Sequence, residues 1–299
     1  MVEIRRILCP IDFSDASRHA FEHAVAIAKW YESQITALHV IHVAFLRQPP
    51  ILRTEFSTTA SPPVSERKAR EEQLHAWLEP AHRAGVKTDV LVQEGSPAPR
   101  ILEHAISQPA DLVVMGTHGL SGFERYMLGS VAEKVVRKAN CPVMTVPPAA
   151  VTTAKAPYTR LLCPVDFSES SMAAFRFAFS LAQESDAYLT ILHVFDWPPD
   201  DELLVEQFDA PQFQHLIEEN ARGRIETLVT ADVRTWCKPV TQISYGKPYR
   251  QILEIAKSEG SDLILMGVRG RNPLDLTLFG STTNHVVRRA SCPVVTLKQ

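Results

Sequence analysis

The sequence has 299 residues, 45% of them hydrophobic and 22% charged, with a formal net charge of −3. That length suits about two domains with adequate cores, and the near-neutral balance leaves no electrostatic footprint for nucleic acid or an anionic membrane. Met1 to Ile7 passes straight into strand-like sequence with no long apolar stretch and no small-residue cleavage site, so neither a secretion signal nor a transmembrane helix is expected, and the cytoplasm is the expected compartment.

Ile7 to Ile11 is an apolar run suited to a buried strand, and it leads into Pro10-Ile-Asp12-Phe-Ser14. Ser14 can cap the helix that follows, in which Ala20, Phe21, Ala24, Ile27 and Ala28 fall at helical spacing. Further strand-like runs at Gln34 to Val43, Lys87 to Gln93, Leu112 to Met115 and Val143 to Val146 alternate with helix-like segments at about Ser65 to Ala84, Pro99 to Ser107 and Ser130 to Ala139. The fourth strand opens onto Gly116 and Gly119, then nine residues, then Gly129-Ser130. Alternating strands and helices, with runs apolar on both faces, predict a doubly wound α/β unit whose parallel sheet is covered on both sides. Ligands of such sheets sit at the carboxyl ends of the strands, so Asp12 and Gly116 are expected to face one crevice.

Pro147 to Pro157 is small, proline-bearing and without amphipathic period, which reads as a linker. Beyond it the chain repeats itself. Arg160-Leu-Leu-Cys-Pro164-Val-Asp166-Phe-Ser168 matches Arg6 to Ser14, Leu192-His-Val194 matches Leu38-His-Val40, and Gly246-Lys-Pro248 matches Gly95-Ser-Pro97. Gly267, Gly270, nine residues and Gly280-Ser281 repeat the glycine spacing. The expected division is a first domain at 1–147, a linker at 148–157 and a second domain at 158–299.

Glycines between a strand and a helix suit a phosphate cradle, because a helix N-terminus offers unpaired N–H groups and glycine admits a close approach. Gly116 to Gly119 and Gly129 to Val131, with the Ser130 hydroxyl, would form one cradle; Gly267, Gly270, Gly280, Ser281 and Thr282 would form the other. A purely structural turn is the competing reading. No lysine precedes Ser130 or Ser281, so this is not a P-loop, and fast phosphoryl transfer lacks one of its usual parts. Leu120 to Arg125 and Arg271 to Asp275 differ inside the loops, which leaves room for unequal affinity.

Asp12 and Asp166 could accept from a ribose or base or hold a metal, or could cap the turn that follows. His19 and His23 lie four apart, but their counterparts are Ala173 and Phe177 and no third ligand is evident. His39 and His193 read as structural, while His118 and its counterpart Arg269 could face phosphate or water. The five cysteines, Cys9, Cys141, Cys163, Cys237 and Cys292, include no C-x-x-C pair and read as free buried thiols at strand starts. Ser14, Ser17 and Ser130 lack a nucleophile elbow, so no hydrolytic triad is expected.

These residues resemble the universal stress proteins in a tandem two-domain form. The resemblance rests on Pro10 to Ser14, Leu38 to Val40, Met115-Gly-Thr-His-Gly119, Gly129-Ser130-Val131 and Asn140-Cys-Pro-Val143, and on their second copies. It implies two five-stranded parallel sheets of order 3-2-1-4-5, each binding ATP, with Mg2+ as a possible companion, between the first and fourth strands. It further implies that Pro10, Asp12 and Val40 meet the adenosine, that Met115 and Gly116 line the nucleotide, and that Gly119, Gly129, Ser130 and Val131 hold phosphates. Pro164, Asp166, Val194, Met266, Gly267, Gly270, Gly280, Ser281 and Thr282 take those roles in the second copy. Pro273 in place of Gly122 is a departure at the second phosphate end. The resemblance also implies that the last strands pair within the chain, making a pseudo-dimer able to associate further as a homodimer, with protein partners not identified by the sequence. A nucleotide-responsive stress regulator is the expected function; a slow ATPase or nucleotidyl-transfer enzyme and a nucleotide-free scaffold are the alternatives.

Overall fold

Ten strands form one sheet in the computed structural model, which describes residues 2–42, 64–117, 128–148, 150, 156–196, 211–270 and 280–298. In the first unit the order is β1 (Arg6–Pro10), α1 (Asp15–Tyr31), β2 (Gln34–His42), α2 (Val64–Trp77), α3 (Glu79–Arg83), β3 (Lys87–Gly95), α4 (Pro97–Ser107), β4 (Leu112–Gly116), α5 (Ser130–Lys138) and β5 (Val143–Val146). The second unit continues with β6 (Arg160–Pro164), α6 (Glu169–Ser185), β7 (Tyr188–Phe195), α7 (Pro211–Leu228), α8 (Ala231–Trp236), β8 (Lys238–Tyr245), α9 (Pro248–Ser258), β9 (Leu263–Gly267), α10 (Ser281–Arg289) and β10 (Val294–Leu297).

Strand order across the sheet is β3-β2-β1-β4-β5-β10-β9-β6-β7-β8. Each unit therefore has the expected 3-2-1-4-5 order, with every pairing inside a unit parallel. Successive strand residues face opposite layers. Ile7 and Cys9 join the core that holds Phe21, Ala24 and Ile27 of α1; Leu8 joins the core beneath α4 and α5 with Ile101, Val135 and Val136. Burial of a side chain as large as Phe21 is worth about 1.5–3 kcal/mol, so both faces help to fix the register.

The units meet at β5 and β10, which pair antiparallel with Val295 opposite Met144. Thr145 Oγ1 donates to Val294 O and Thr296 Oγ1 donates to Val143 O, each at 3.2 Å, so two buried hydroxyls close the seam reciprocally. A second tie lies beneath the sheet. His23 of α1 is fully buried, with Nε2 at 3.2 Å from Ala150 O and Nδ1 at 3.0 Å from the Tyr158 hydroxyl. A carbonyl only accepts, so Nε2 is assigned the proton and Nδ1 accepts from Tyr158.

Two expectations need correction. The helix expected over Ser65 to Ala84 is two helices, α2 and α3. Pro80 has no N–H to offer the carbonyl of Ala76, and its ring would clash there, so the first helix stops at Trp77. Cys9 and Cys163 are not at strand starts either: each is the fourth residue of a five-residue strand.

Candidate functional site

Both units carry a cavity at the carboxyl ends of their central strands. The first is about 150 Å³ and is lined by Pro10, Asp12, Val40, Met115, Gly116, Gly129, Ser130 and Val131, with Ile11, Pro97, Ile101 and Thr117 among its other wall residues. The second is about 270 Å³ and is lined by Pro164, Asp166, Val194, Met266, Gly267, Gly270, Gly280, Ser281 and Thr282, with Val165, Pro248, Ile252 and Arg269. Every site residue expected from sequence borders one of them except Gly119, which lies outside the described residues together with His118, Leu120 to Arg125, Arg271 and Pro273.

β1 is followed by an abrupt turn. Phe13 takes φ +64° and Phe167 takes φ +63°, a left-handed conformation uncommon for an aromatic residue. The turn lets Asp12 Oδ1 accept from Ser14 N at 3.0 Å and from the Ser14 hydroxyl, while Ser14 Oγ accepts from Ser17 N and caps α1. Asp166 and Ser168 reproduce this at α6. Capping and facing the ligand crevice are thus not alternatives: one carboxylate oxygen braces the cap, and Asp166 Oδ2 would lie 3.0 Å from a Cβ placed on Gly270.

His39 borders the first cavity, and His193 is its counterpart in the second unit. Their Nδ1 atoms lie 2.8 and 2.7 Å from the carbonyls of Ile11 and Val165, so Nδ1 carries the proton in each ring. Burial pushes the His39 pKa below its ordinary value. The cysteines are poor nucleophile candidates: burial pushes Cys9 and Cys292 up to about 12, and Cys141 and Cys237 up to about 11. Among the described residues no group of three or more His, Cys, Asp or Glu side chains is placed to hold a metal, and both ring nitrogens of His23 already have protein partners.

The glycines divide by role. A Cβ on Gly116 would stand 2.8 Å from Ala16 O, and one on Gly267 would stand 2.5 Å from Ser170 Oγ and 2.7 Å from Ser171 N. These two glycines are needed for the strand to pass under the start of α1 or α6, a packing role that does not depend on a ligand. Gly129 and Gly280 instead precede α5 and α10, neither of which has a side-chain cap. Their amides are held by Thr117 O and Val268 O at 2.7 and 3.1 Å, and the first-turn residues beyond them border the cavity. A helix start left uncapped beside a cavity offers N–H donors and the positive end of the dipole to an anion.

Sequence reasoning missed the opposite wall, made by Pro97 and Ile101 of α4 and by Pro248 and Ile252 of α9. The repeated Gly95-Ser-Pro97 and Gly246-Lys-Pro248 could have found it. Both glycines take positive φ, +132° and +128°, at the turn that brings the prolines to the crevice.

A family model for the universal stress protein family matches residues 3–147 and again 157–298. A universal stress protein of Methanocaldococcus jannaschii is 39% identical over 145 residues, covering 48% of this chain and 81% of its own. The crystal structure of a universal stress protein from Archaeoglobus fulgidus aligns over 98% of both chains with a TM-score of 0.70 at 23% identity, a likeness of fold.

Proposed function

The chain belongs to the universal stress protein family, and on that premise we propose that it binds ATP in both cavities and regulates stress tolerance through conformation or assembly. The observation that carries this reading is the cavity built twice around the same parts: an apolar wall, a carboxylate and an uncapped helix start. Val40, Ile101 and Met115 suit an adenine face, Asp12 a ribose, and Ser130 with the first-turn amides of α5 a phosphate. Gly119 belongs with the phosphate residues, and the second unit uses its counterparts. Were magnesium to accompany the nucleotide, Asp12 and Asp166 are the cavity carboxylates that would hold it, and it would offset phosphate charge.

On this reading the domains run over 1–147 and 158–299, joined by 148–157, and the protein works in the cytoplasm, where partner proteins read its nucleotide state. Among the described residues no helix is long and apolar enough to cross a membrane. Whole chains are free to associate further into homodimers. Binding and regulation are favoured over catalysis because His39 and His193 are tied to backbone carbonyls, and among the described residues no lysine lines either cavity. Calorimetric titration with ATP and magnesium tests the reading: saturable heat is expected, and none at millimolar ATP would sink it. Steady ADP release over many turnovers would favour the hydrolytic alternative.

A further inference from the structure

The duplication makes each site a reference for the other, and the comparison separates the two ends of the cavity. At the apolar end the pairs are near-identical: Val40 with Val194, Ile101 with Ile252, Met115 with Met266. At the helix end they are not. Thr282 stands where the first unit has Val131, Thr283 where it has Ala132, Ser170 where it has Ala16, and Arg269 where it has His118.

Each exchange adds a polar group to the second unit. Thr283 Oγ1 donates to Gly267 O at 2.8 Å, tying the start of α10 to the end of β9. The Ser170 hydroxyl donates to Arg269 O, pinning the first turn of the glycine loop. Ala132 and Ala16 have no hydroxyl with which to make either bond. Thr282 borders the cavity with its hydroxyl given no partner by the described residues, and Arg269 borders it without a carboxylate partner among them. Arg269 brings a permanent charge to a position that the first unit gives to His118. The second cavity is also the larger, about 270 Å³ against 150 Å³.

Building on the nucleotide reading above, we propose that the two sites are graded by their phosphate ends. The second unit is the tight site, selective for nucleoside polyphosphates through Thr282 and Arg269; the first holds nucleotides mainly by the nucleoside and separates ATP from adenosine weakly. A hydrogen bond to a charged group is worth more than a neutral one, and a loop already fixed by Ser170 and Thr283 loses less freedom on binding. A chain built this way has two thresholds, filling the second unit at low ATP and the first only as ATP rises.

Titration calorimetry of the full chain with ATP and, separately, with adenosine tests the grading. ATP should bind in two classes at least about tenfold apart, while adenosine shows a single class. Thr282→Val should weaken the tight ATP class by about tenfold and lower the ratio of ATP to adenosine affinity; Thr282→Ser, which keeps the hydroxyl, should restore that ratio and so exclude a folding defect. Val131→Thr should strengthen the weak class. Two equal ATP classes, or a tight class unmoved by Thr282→Val, would overturn the grading while leaving nucleotide binding intact. Failure of ATP to bind at all would overturn the nucleotide reading and the grading with it.

Discussion

Gly116 and Gly267 look alike in sequence to Gly129 and Gly280, yet the space around them is filled by protein. The contacts a Cβ would make, 2.8 Å to Ala16 O in one unit and 2.5 Å to Ser170 Oγ in the other, predict that Gly116→Ala and Gly267→Ala each destabilise the fold by about 1–3 kcal/mol. Urea midpoints check this, and a midpoint equal to the parent's would refute the packing role. Loss of ligand in such variants is therefore no proof of a phosphate contact. His23 carries a different prediction. Burial holds its folded pKa below the ordinary value, with Glu22 opposing and His19 reinforcing that shift from the same helix and Tyr158 facing the ring from the second unit. The unfolded chain therefore takes up the proton first, so His23 contributes stability above about pH 6.5 that is lost as pH falls through the folded value. His23→Phe, which copies Phe177, should lower stability at neutral pH by about 1–3 kcal/mol, because the buried bonds from His23 to the Tyr158 hydroxyl and the Ala150 carbonyl are lost. It should also flatten the fall in urea midpoint between about pH 7 and pH 5, and an unchanged slope would contradict the linkage. Sequence pattern gave residue types and spacing at these positions but not neighbours, which is why His23 read as a weak metal candidate and not as a clasp between units.

At the scale of elements, the strand-helix alternation was legible almost throughout, because apolar runs and turn residues mark their ends locally. The strand expected at Val143 to Val146 is β5 itself, and the helix expected after Ser14 begins at Asp15 with that serine as cap. Misreadings occurred where a proline set the boundary. Pro80 splits one expected helix, and the helix expected from Pro99 begins at Pro97, which occupies the first helical turn where a missing N–H costs nothing. Pairing of β5 with β10 joins residues about half the chain apart, so periodicity could not reveal it, and only the family resemblance implied it. The seam makes its own prediction. Thr145→Val and Thr296→Val each remove one buried hydroxyl bond to the facing strand, and each should cost about 1 kcal/mol. The double variant in thermal or urea unfolding checks this, and no loss would show that the hydroxyls do not hold the seam.

For the whole molecule, one sheet of ten strands places two like cavities at the carboxyl ends of two central strand pairs. The crevice was legible because doubly wound topology puts the β1 and β4 ends together whatever the side chains are. Its polar asymmetry was only half legible. Pro273, Arg271 and Arg269 stand out in the loop sequence, whereas Thr282 at the cavity, with Ser170 and Thr283 behind it, gains meaning only from the structure. The central claim is that these cavities hold ATP, and native mass spectrometry of the full chain titrated with ATP and magnesium tests it most directly. One ATP mass should add at low concentration and a second as concentration rises; a mass unchanged up to millimolar ATP would contradict the claim.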